Sequence, residues 1–237
     1  MLRKLLIVFA SGVILSIVAF AAAWVVGGEK LHKELAGGDG WSWTLGGDET
    51  DNGVRKQRSF AVEPGARLAM AIPVDLSFTR GDKAEMVVSG PANVVDRLVW
   101  ENGRLSLPHG VHMRHGIKVH ITAPQITGLD LDAPGDINLK DMRQDRFTLN
   151  SHGPIDLDAQ GRVRQLFVSV AGPGNIDLGK VEGEDATVRL DGVGDITLGA
   201  TGTVDVEING AGDVSLVRKP QILRSRIHGL GSINHNY

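Results

Sequence analysis

The most informative absence in the sequence is cysteine, which does not occur among its 237 residues. Disulfide bonds, thiolate catalysis, cysteine-ligated zinc and a lipid anchor on cysteine are therefore excluded. The formal net charge is only −3, so no strong field attracts nucleic acid and no nucleic-acid partner is expected. Ser-His-Asp nucleophile motifs and phosphate-binding glycine loops followed by a helix are also missing. These patterns predict no cofactor.

Glycine, by contrast, is abundant at 31 residues, and much of it belongs to one short pattern that returns six times between about residues 129 and 234. Each copy has an aliphatic residue, a glycine-containing turn and a second aliphatic residue, and in four of the six copies the turn is Gly-x-Gly followed by Asp, Asn or Ser. This second aliphatic residue falls at 137, 155, 176, 196, 214 and 233, a spacing of 18 to 21 residues. Regular spacing of this kind indicates a repeat architecture.

Within each repeat, apolar and polar residues alternate, as at Val204, Val206 and Ile208. Strict alternation over a few residues is typical of a short strand with one buried face. The glycine-rich corners supply the backbone freedom to turn the chain, and the Asp or Asn beside them favours a turn. One repeat cannot bury enough surface to fold alone, but stacked repeats can. The sequence therefore predicts an all-β fold, a right-handed parallel β-helix, or β-solenoid.

The N-terminus carries the longest hydrophobic run, an uncharged stretch over residues 5–26 that follows Arg3 and Lys4. As a helix it would span about 33 Å, enough to cross the hydrocarbon core of a bilayer. The positive flank places the N-terminus in the cytoplasm and the rest of the chain outside. Alternatively, the run is a cleaved signal peptide, because the small residues at 21–23, within it, offer a cleavage site. Either reading exports the protein.

Three segments are expected: a signal anchor or signal peptide at 1–27, a Gly/Asp-rich linker at 28–58, and the β-solenoid domain at 59–237. Near the start of that domain, alternating apolar residues from Leu68 to Phe78 predict one long strand, or two strands bent at Pro73. Asn102 and Gly103 lie between apolar stretches and predict a tight turn.

Several stretches resemble the bacterial auto-transporter adhesin head GIN domain family. The stretches are residues 88–96 (VSGPANVVD), 102–107 (NGRLSL), 119–124 (VHITAP), 129–139 (LDLDAPGDINL) and the later Gly-x-Gly-[Asp/Asn]-Ile repeats. The resemblance covers about residues 60–237. It implies an exported right-handed β-helix, often tethered at the cell envelope, and it supplies no catalytic residues. With the N-terminal run, it implies an inner-membrane-anchored, periplasmic domain, or a secreted one if the run is cleaved.

A histidine-rich stretch is the first candidate site. His109, His112 and His115 recur every third residue, and three imidazoles gathered in this way would suit zinc, copper or nickel. Gly110 and Gly116 oppose the helix that would bring the three together. The alternative reading is a polar loop that joins two coils.

A column of turn residues is the second candidate site. If the repeats stack in register, they align on one corner, with Pro154 interrupting at the second coil: Asp136, Asn175, Asp195, Asp213 and Ser232. Such a ladder could bind calcium through its oxygens. The alternative is that Asp and Asn are simply good turn formers.

Other β-helix proteins include polysaccharide lyases and hydrolases, which use carboxylate clusters with a basic residue in a long groove. Five aspartates project outward and could imitate such a cluster: Asp130, Asp132, Asp156, Asp177 and Asp191. No basic residue joins them on one patch, and aromatics for sugar stacking are scarce. The sequence therefore favours a non-catalytic envelope binding or scaffold domain, possible partners being an envelope polysaccharide, another protein, or a second copy joined through the C-terminal coil. The alternatives are a carbohydrate-active enzyme and a metal- or calcium-binding envelope protein.

Overall fold

The computed structural model of the chain describes residues 54–108, 113 and 116–237. This part contains sixteen strands and one short helix, α1, at Ala92–Val95. The strands are Arg55–Ala61 (β1), Arg67–Met70 (β2), Val74–Arg80 (β3), Glu85–Pro91 (β4), Val99–Glu101 (β5), Arg104–Ser106 (β6), Ile117–Ala123 (β7), Gly128–Leu131 (β8), Gly135–Ser151 (β9), Ile155–Val170 (β10), Pro173–Leu190 (β11), Val193–Ala200 (β12), Thr203–Ile208 (β13), Val214–Leu216 (β14), Ile222–Ile227 (β15) and Ile233–His235 (β16).

Parallel ladders join the strands from β9 onward into a β-solenoid. β10 pairs in parallel with both β9 and β11 along most of its length. The first half of β11 then pairs with β12 and its second half with β13. Each coil therefore contributes one strand segment to each of these two ladders, and a middle segment of β10, residues 160–163, pairs with residues 180–183 of β11 between them. The expectation of a stacked, parallel, all-β solenoid is confirmed.

The core consists of aliphatic side chains stacked coil upon coil. One inward column contains Ile137, Leu157, Ile176, Ile196 and Val214, each at most 1% exposed. Period-2 alternation sends every second side chain of these strands into this core. Burial of one such side chain stabilises the fold by roughly 1.5 to 3 kcal/mol, and each coil shares that burial with its neighbours.

The predicted register is wrong at one coil. Ile155 was expected to stack on Ile137, but the ladder sets Leu157 beside Ile137 and Ile155 beside Gly135. Ile155 keeps an inward position because a shift of two residues preserves the face. It fills space that the glycines leave empty: a Cβ added to Gly174 would lie 2.5 Å from its Cγ2 atom. Pro154 therefore does not interrupt the corner column, because the next outward residue, Asp156, pairs with Asp136 and continues it.

The glycine corner is as tight as the pattern predicts. A Cβ added to Gly192, Gly210 or Gly229 would lie 2.0, 1.8 and 1.9 Å from the carbonyl oxygen of the glycine one coil earlier. The backbones of successive coils approach so closely here that no side chain fits between them.

The N-terminal part of the solenoid departs from simple repetition. β2 and β3 are separate strands, as the break at Pro73 indicated, and β3 lies between β7 and β9 rather than beside its neighbours in sequence. Antiparallel strands close this end: β1 pairs with β4, β4 with β7, and β5 with β6. The β5–β6 turn is the predicted one, with positive φ at Asn102 and Gly103.

The C-terminal part has no comparable closing layer within the described residues. β15 pairs only with β13, and β16 only with β14. Ile222, Ile227 and Leu230 are 47%, 40% and 80% exposed. The stacked core therefore ends in partly exposed aliphatic side chains.

Two expectations concern the start of the chain. The membrane span or signal peptide predicted at residues 5–26 lies outside the described residues, and within residues 54–108, 113 and 116–237 no helix is long and apolar enough to cross a bilayer. β1 begins at Arg55, inside the segment 28–58 that was expected to be linker.

Candidate functional site

The corner column is longer than the sequence predicted. In register from coil to coil it contains Lys118, Asp75, Asp136, Asp156, Asn175, Asp195, Asp213 and Ser232. We call the run from Asp75 to Ser232 the aspartate column, and the outer side of β3, β7, β12, β14, β16 and the first halves of β9–β11 the aspartate face. Neighbouring strands in a sheet lie about 4.8 Å apart, so carboxylates recur at that interval.

Part of this column caps the backbone. Asp195 Oδ1 accepts a hydrogen bond from the backbone N–H of Asp213 at 3.1 Å. One coil later, Asp213 Oδ1 accepts from the backbone N–H and the hydroxyl of Ser232, at 2.8 and 2.7 Å. Turn chemistry, the alternative to calcium binding, therefore accounts for Asp195 and Asp213.

Asp136 differs from Asp195 and Asp213 in that its surroundings disfavour its charged form. Partial burial raises the pKa of its carboxyl group, and the neighbouring charges of Asp75 and Asp156 raise it further. A raised pKa means that the charged form is disfavoured at this position. The ladder therefore holds like charges together at the N-terminal end of the column.

A second polar column runs beside the first on the same face. Its members are His120, Ser77, Asn138, Asp158, Asp177, Thr197, Ser215 and Asn234. The hydroxyl of Ser77 and Nδ1 of His120 are 2.9 Å apart, and Lys180 Nζ lies 3.3 Å from Asp158 Oδ2. The aspartate face is thus an open surface of carboxylates, amides and hydroxyls in two parallel rows.

The opposite side of each coil carries its charges in pairs. Its outward column reads Ala69, Asp130, Asn150, Ser169, Arg189, Glu207 and Arg226. We call this the paired column, and the outer side of β2, β8, β13, β15 and the second halves of β9–β11 the paired face. Toward its C-terminal end the sign of the charge alternates from coil to coil.

Asp130 is the best-bonded carboxylate of the paired face. Both its oxygens accept hydrogen bonds from the Arg67 guanidinium at 2.6 Å, and Asn150 donates a third at 2.9 Å. The bond from Arg67 is the main reason that the pKa of Asp130 lies below its usual range. This bidentate geometry is the strongest form of the Arg–carboxylate interaction.

The metal hypotheses receive no geometric support. His109, His112 and His115 all lie outside the described residues, so their prediction stays a prediction. In residues 54–108, 113 and 116–237, no three His, Asp or Glu side chains converge as metal ligands would. An in-register ladder spaces its carboxylates along the solenoid and does not focus them on a point.

The five outward aspartates considered for catalysis do not form one cluster. Asp156 and Asp177 lie on the aspartate face, whereas Asp130 lies on the paired face. Asp132 lies 2.8 Å from Arg104 and 3.2 Å from His152, and Asp191 lies 2.7 Å from Arg189. Hydrogen bonds from Arg189 and Asn209 lower the pKa of Asp191, whereas a general acid needs a raised pKa.

A shallow depression of about 370 Å³ lies at the antiparallel end, lined by Ser59, Phe60, Ala61, Lys83, Ala84 and Glu85. It lies beyond the N-terminal end of the second polar column, because Ser59 pairs with Val87 and Val87 pairs with His120. Lys83 and Glu85 are its only ionisable lining residues.

Sequence reasoning missed two members of the aspartate column. Asp75 precedes the recognisable repeats, and Asp156 was displaced by the misread register of Ile155. Alternation along Val74, Leu76 and Phe78 did mark Asp75 as outward, but its coil could not be known from the pattern. Only strand pairing shows that Asp75 lies beside Asp136.

The sequence matches a known protein family, and the fold is similar to solved structures. The family described as "putative auto-transporter adhesin, head GIN domain" matches residues 67–220. A crystal structure of a putative adhesin from Bacteroides fragilis is 21% identical, with a TM-score of 0.58, and the match covers 77% of this chain and 97% of that chain.

Two further solved structures from Parabacteroides distasonis match less closely. One, titled a putative lipid binding protein, is 18% identical with a TM-score of 0.43, covering 78% of this chain and 97% of that chain. The other, a putative adhesin, is 13% identical with a TM-score of 0.40, covering 78% and 98%. No curated protein matches the sequence. At such identities, only the fold of the Bacteroides structure transfers to this chain.

Proposed function

This chain belongs to the auto-transporter adhesin head GIN domain family, and from that premise we propose that it is a non-catalytic, adhesion-related binding domain of the bacterial cell envelope. The aspartate face is its binding surface. The observation that carries this proposal is the pair of in-register polar columns on an open side of the solenoid. A surface of this kind suits an extended, repetitive ligand, because each coil offers the same groups again.

The ligand class follows from the charges. The aspartate column contains five carboxylates, and the one lysine in register with it, Lys118, lies at its end, 3.6 Å from Asp75. An extended polymer with amino and hydroxyl groups complements this surface better than an acidic polymer does. We therefore expect an envelope polysaccharide that carries free amines.

The test compares two polymers that share one sugar backbone and differ in whether their amino groups are acetylated, and therefore in charge. Chitosan oligosaccharides carry amines, and chitin oligosaccharides carry neutral acetamides on the same backbone. We expect the protein to bind the first and not the second, measured by calorimetry at low salt. Replacing Asp136, Asp156 and Asp195 by Asn is expected to weaken binding by about tenfold or more. Equal binding of both polymers, or no effect of the triple substitution, would contradict the proposal.

The matched control is on the paired face. Asp205 and Glu207 are exchanged for Asn and Gln, which removes two carboxylates from a surface where each lies in register with an arginine, Arg224 or Arg226. Binding of chitosan oligosaccharides is expected to be unchanged. A loss as large as that of the aspartate-face variant would indicate nonspecific attraction by total charge.

Export is the second part of the proposal. The apolar run at residues 5–26 inserts into the inner membrane and leaves the solenoid on the periplasmic side. Mass spectrometry of the protein from a membrane fraction tests this, since a retained anchor keeps residues 5–26 and a cleaved signal peptide does not. A full-length chain recovered from the cytoplasm would contradict export in either form.

One observation favours a second candidate, a carbohydrate-active enzyme. Asp136 has a raised pKa and two carboxylate neighbours in the ladder, as a general acid beside a carboxylate would. The test is reducing-sugar release from a panel of envelope polysaccharides. Release that is abolished by Asp136→Asn while binding persists would support this candidate over the binding domain.

A further inference from the structure

The C-terminal edge of the solenoid is a second surface, separate from the aspartate face. β15 has one neighbour among the described residues, β13. The backbone N–H groups of Ile222 and His228 donate to Gly202 and Ile208 of the previous coil. Because the N–H groups of alternate residues point to opposite edges of a strand, those of Leu223, Ser225 and Ile227 point away from β13. The edge therefore offers a row of main-chain donors and acceptors.

Two of the three inward residues of this edge are aliphatic and incompletely covered, and the third, Ser225, stacks on Val206. Leu223 stacks on Val204 and Ile227 on Ile208. Ile208 is 0% exposed because the next coil covers it, whereas Ile227 is 40% exposed. One more strand with aliphatic inward residues would complete the stack.

The outward residues indicate the charge of that strand. In the paired column, Arg189 is followed by Glu207 and then by Arg226, and in the adjacent column Asp205 is followed by Arg224. Arg189 Nη1 lies 3.3 Å from Glu207 Oε1, and Arg224 Nη1 lies 3.5 Å from Asp205 Oδ1. Continued alternation calls for acidic residues beside both Arg224 and Arg226.

The composition of the segment around β15 also favours an acidic partner strand. Residues 214–237 contain no Asp or Glu, but they include Arg218, Lys219, Arg224 and Arg226. Opposite charges across an interface favour binding and its specificity. An acidic partner therefore fits this edge and a basic one does not.

We propose that the β15 edge binds an acidic, extended segment of a partner protein, which adds to the solenoid as its next strand. Main-chain hydrogen bonds supply affinity, aliphatic residues at alternate positions cover Leu223 and Ile227, and the intervening carboxylates pair with Arg224 and Arg226. This is recognition by strand addition.

A second copy of this chain fits the edge less well. Head-to-tail stacking brings the β15 edge against β5, the last strand of the same ladder at the N-terminal end. β5 has three residues, Val99–Glu101, so it covers only half of the six-residue β15 and offers one carboxylate for two arginines. Tail-to-tail pairing, with β15 antiparallel to its copy about Ser225, places Arg224 opposite Arg226 of that copy. Like charges directly opposite each other in a sheet are destabilising.

The experiment uses the full chain and a peptide that copies residues 203–209, Thr-Val-Asp-Val-Glu-Ile-Asn. This is the sequence of β13 with one following residue, and so it already presents carboxylates to Arg224 and Arg226 in register. Fluorescence anisotropy of the labelled peptide is expected to show saturable binding. A peptide with lysine at both acidic positions is expected to bind about tenfold or more weakly.

Two variants separate strand addition from simple attraction. The double variant Arg224→Glu, Arg226→Glu is expected to reverse the preference between the two peptides. Ser225→Pro removes one N–H from the free edge and none from the ladder to β13, and it is expected to weaken peptide binding by about tenfold. Arg80→Glu, an exposed arginine at the end of β3, is the matched charge control and should leave binding unchanged.

If Ser225→Pro affects folding, a peptide N-methylated at alternate residues tests the same hydrogen bonds on the unaltered protein. Undiminished binding of the N-methylated peptide would overturn the proposal. Two other results would also overturn it: stronger binding to phosphatidylglycerol vesicles than to the acidic peptide, with no effect of Ser225→Pro, or a concentration-dependent dimer that the acidic peptide cannot dissociate.

Discussion

The aspartate face and the paired face are built by the same ladder but arrange their charges differently. In the aspartate column, Asp75, Asp136 and Asp156 follow one another with like charge. In the paired column, Arg189, Glu207 and Arg226 alternate in sign. In-register stacking places each side chain about 4.8 Å from its equivalents, so the sequence must either alternate the charges or accept repulsion.

Stability alone explains some of the charged residues on the two faces but not all of them. Ion pairs and hydrogen bonds account for Asp130 and Glu207, and backbone capping accounts for Asp195 and Asp213. Neither explains Asp136, whose raised pKa reflects burial and like-charged neighbours. Local violations of a stability rule concentrate at functional sites. This is why the binding proposal rests on the aspartate face.

The largest expected effect concerns the corners on which the two faces are built. In Gly212→Ala, the new Cβ would lie 1.8 Å from the carbonyl oxygen of Gly194, at the corner that leads into the aspartate face. Because the clash is with main chain rather than with the end of a flexible side chain, we expect a loss of about 3 kcal/mol or more in the free energy of unfolding, measured in urea.

The matched control is Gly183→Ala, at the segment of β11 that leads to the paired face. Its nearest contacts would be Ala200 Cβ at 3.2 Å, and Ala200 Cα and Leu166 Cδ1 at 3.3 Å, and the change is expected to be about 1 kcal/mol or less. Equal losses in the free energy of unfolding for the two substitutions would contradict close backbone approach at the Gly212 corner as the cause of the larger effect.

The next effect in size is on the paired face. Asp130→Ala removes the partner of Arg67, and because both side chains are partly exposed we expect a loss of about 1 kcal/mol at pH 7. The folded-state pKa of Asp130 is lowered, so its contribution is present above the unfolded pKa near 4 and disappears as the pH falls through the folded value. Urea unfolding of both proteins from pH 7 to pH 2.5 measures this. A difference that persists at pH 2.5 would contradict ion pairing as its cause.

The smallest effect has the opposite sign and belongs to the aspartate face. The folded-state pKa of Asp136 is raised, so ionisation of this carboxyl group lowers the stability of the fold above that pKa. Below the unfolded pKa near 4 the group is protonated in both states, and it has no such effect. Asp136→Asn is therefore expected to stabilise the protein at pH 7 by less than about 1 kcal/mol, and not at pH 3. The gain should shrink in 0.5 M NaCl, which screens exposed charges. A destabilised variant at pH 7 would contradict repulsion in the column.

Much of the fold could be predicted from the repeats, because alternation and glycine spacing are local signals. They identified the strands, the corners and the stacking of Asp195 on Asp213. The register of Ile155 could not be read locally, because inward residues two positions apart are equivalent in the pattern. The position of β3 between β7 and β9 was also hidden, since it depends on pairing between segments distant in sequence.

The sequence by itself determined that the chain forms a stack of β-coils with glycine corners, since period-2 alternation and close backbone approach leave few other solutions. Only the tertiary structure decided which charges meet. Whether Asp136 is beside Asp75 and Asp156, or Asp130 beside Arg67, depends on the register between strands. Electrostatic interactions act across the ladder, perpendicular to the chain, and the linear pattern carries little information in that direction.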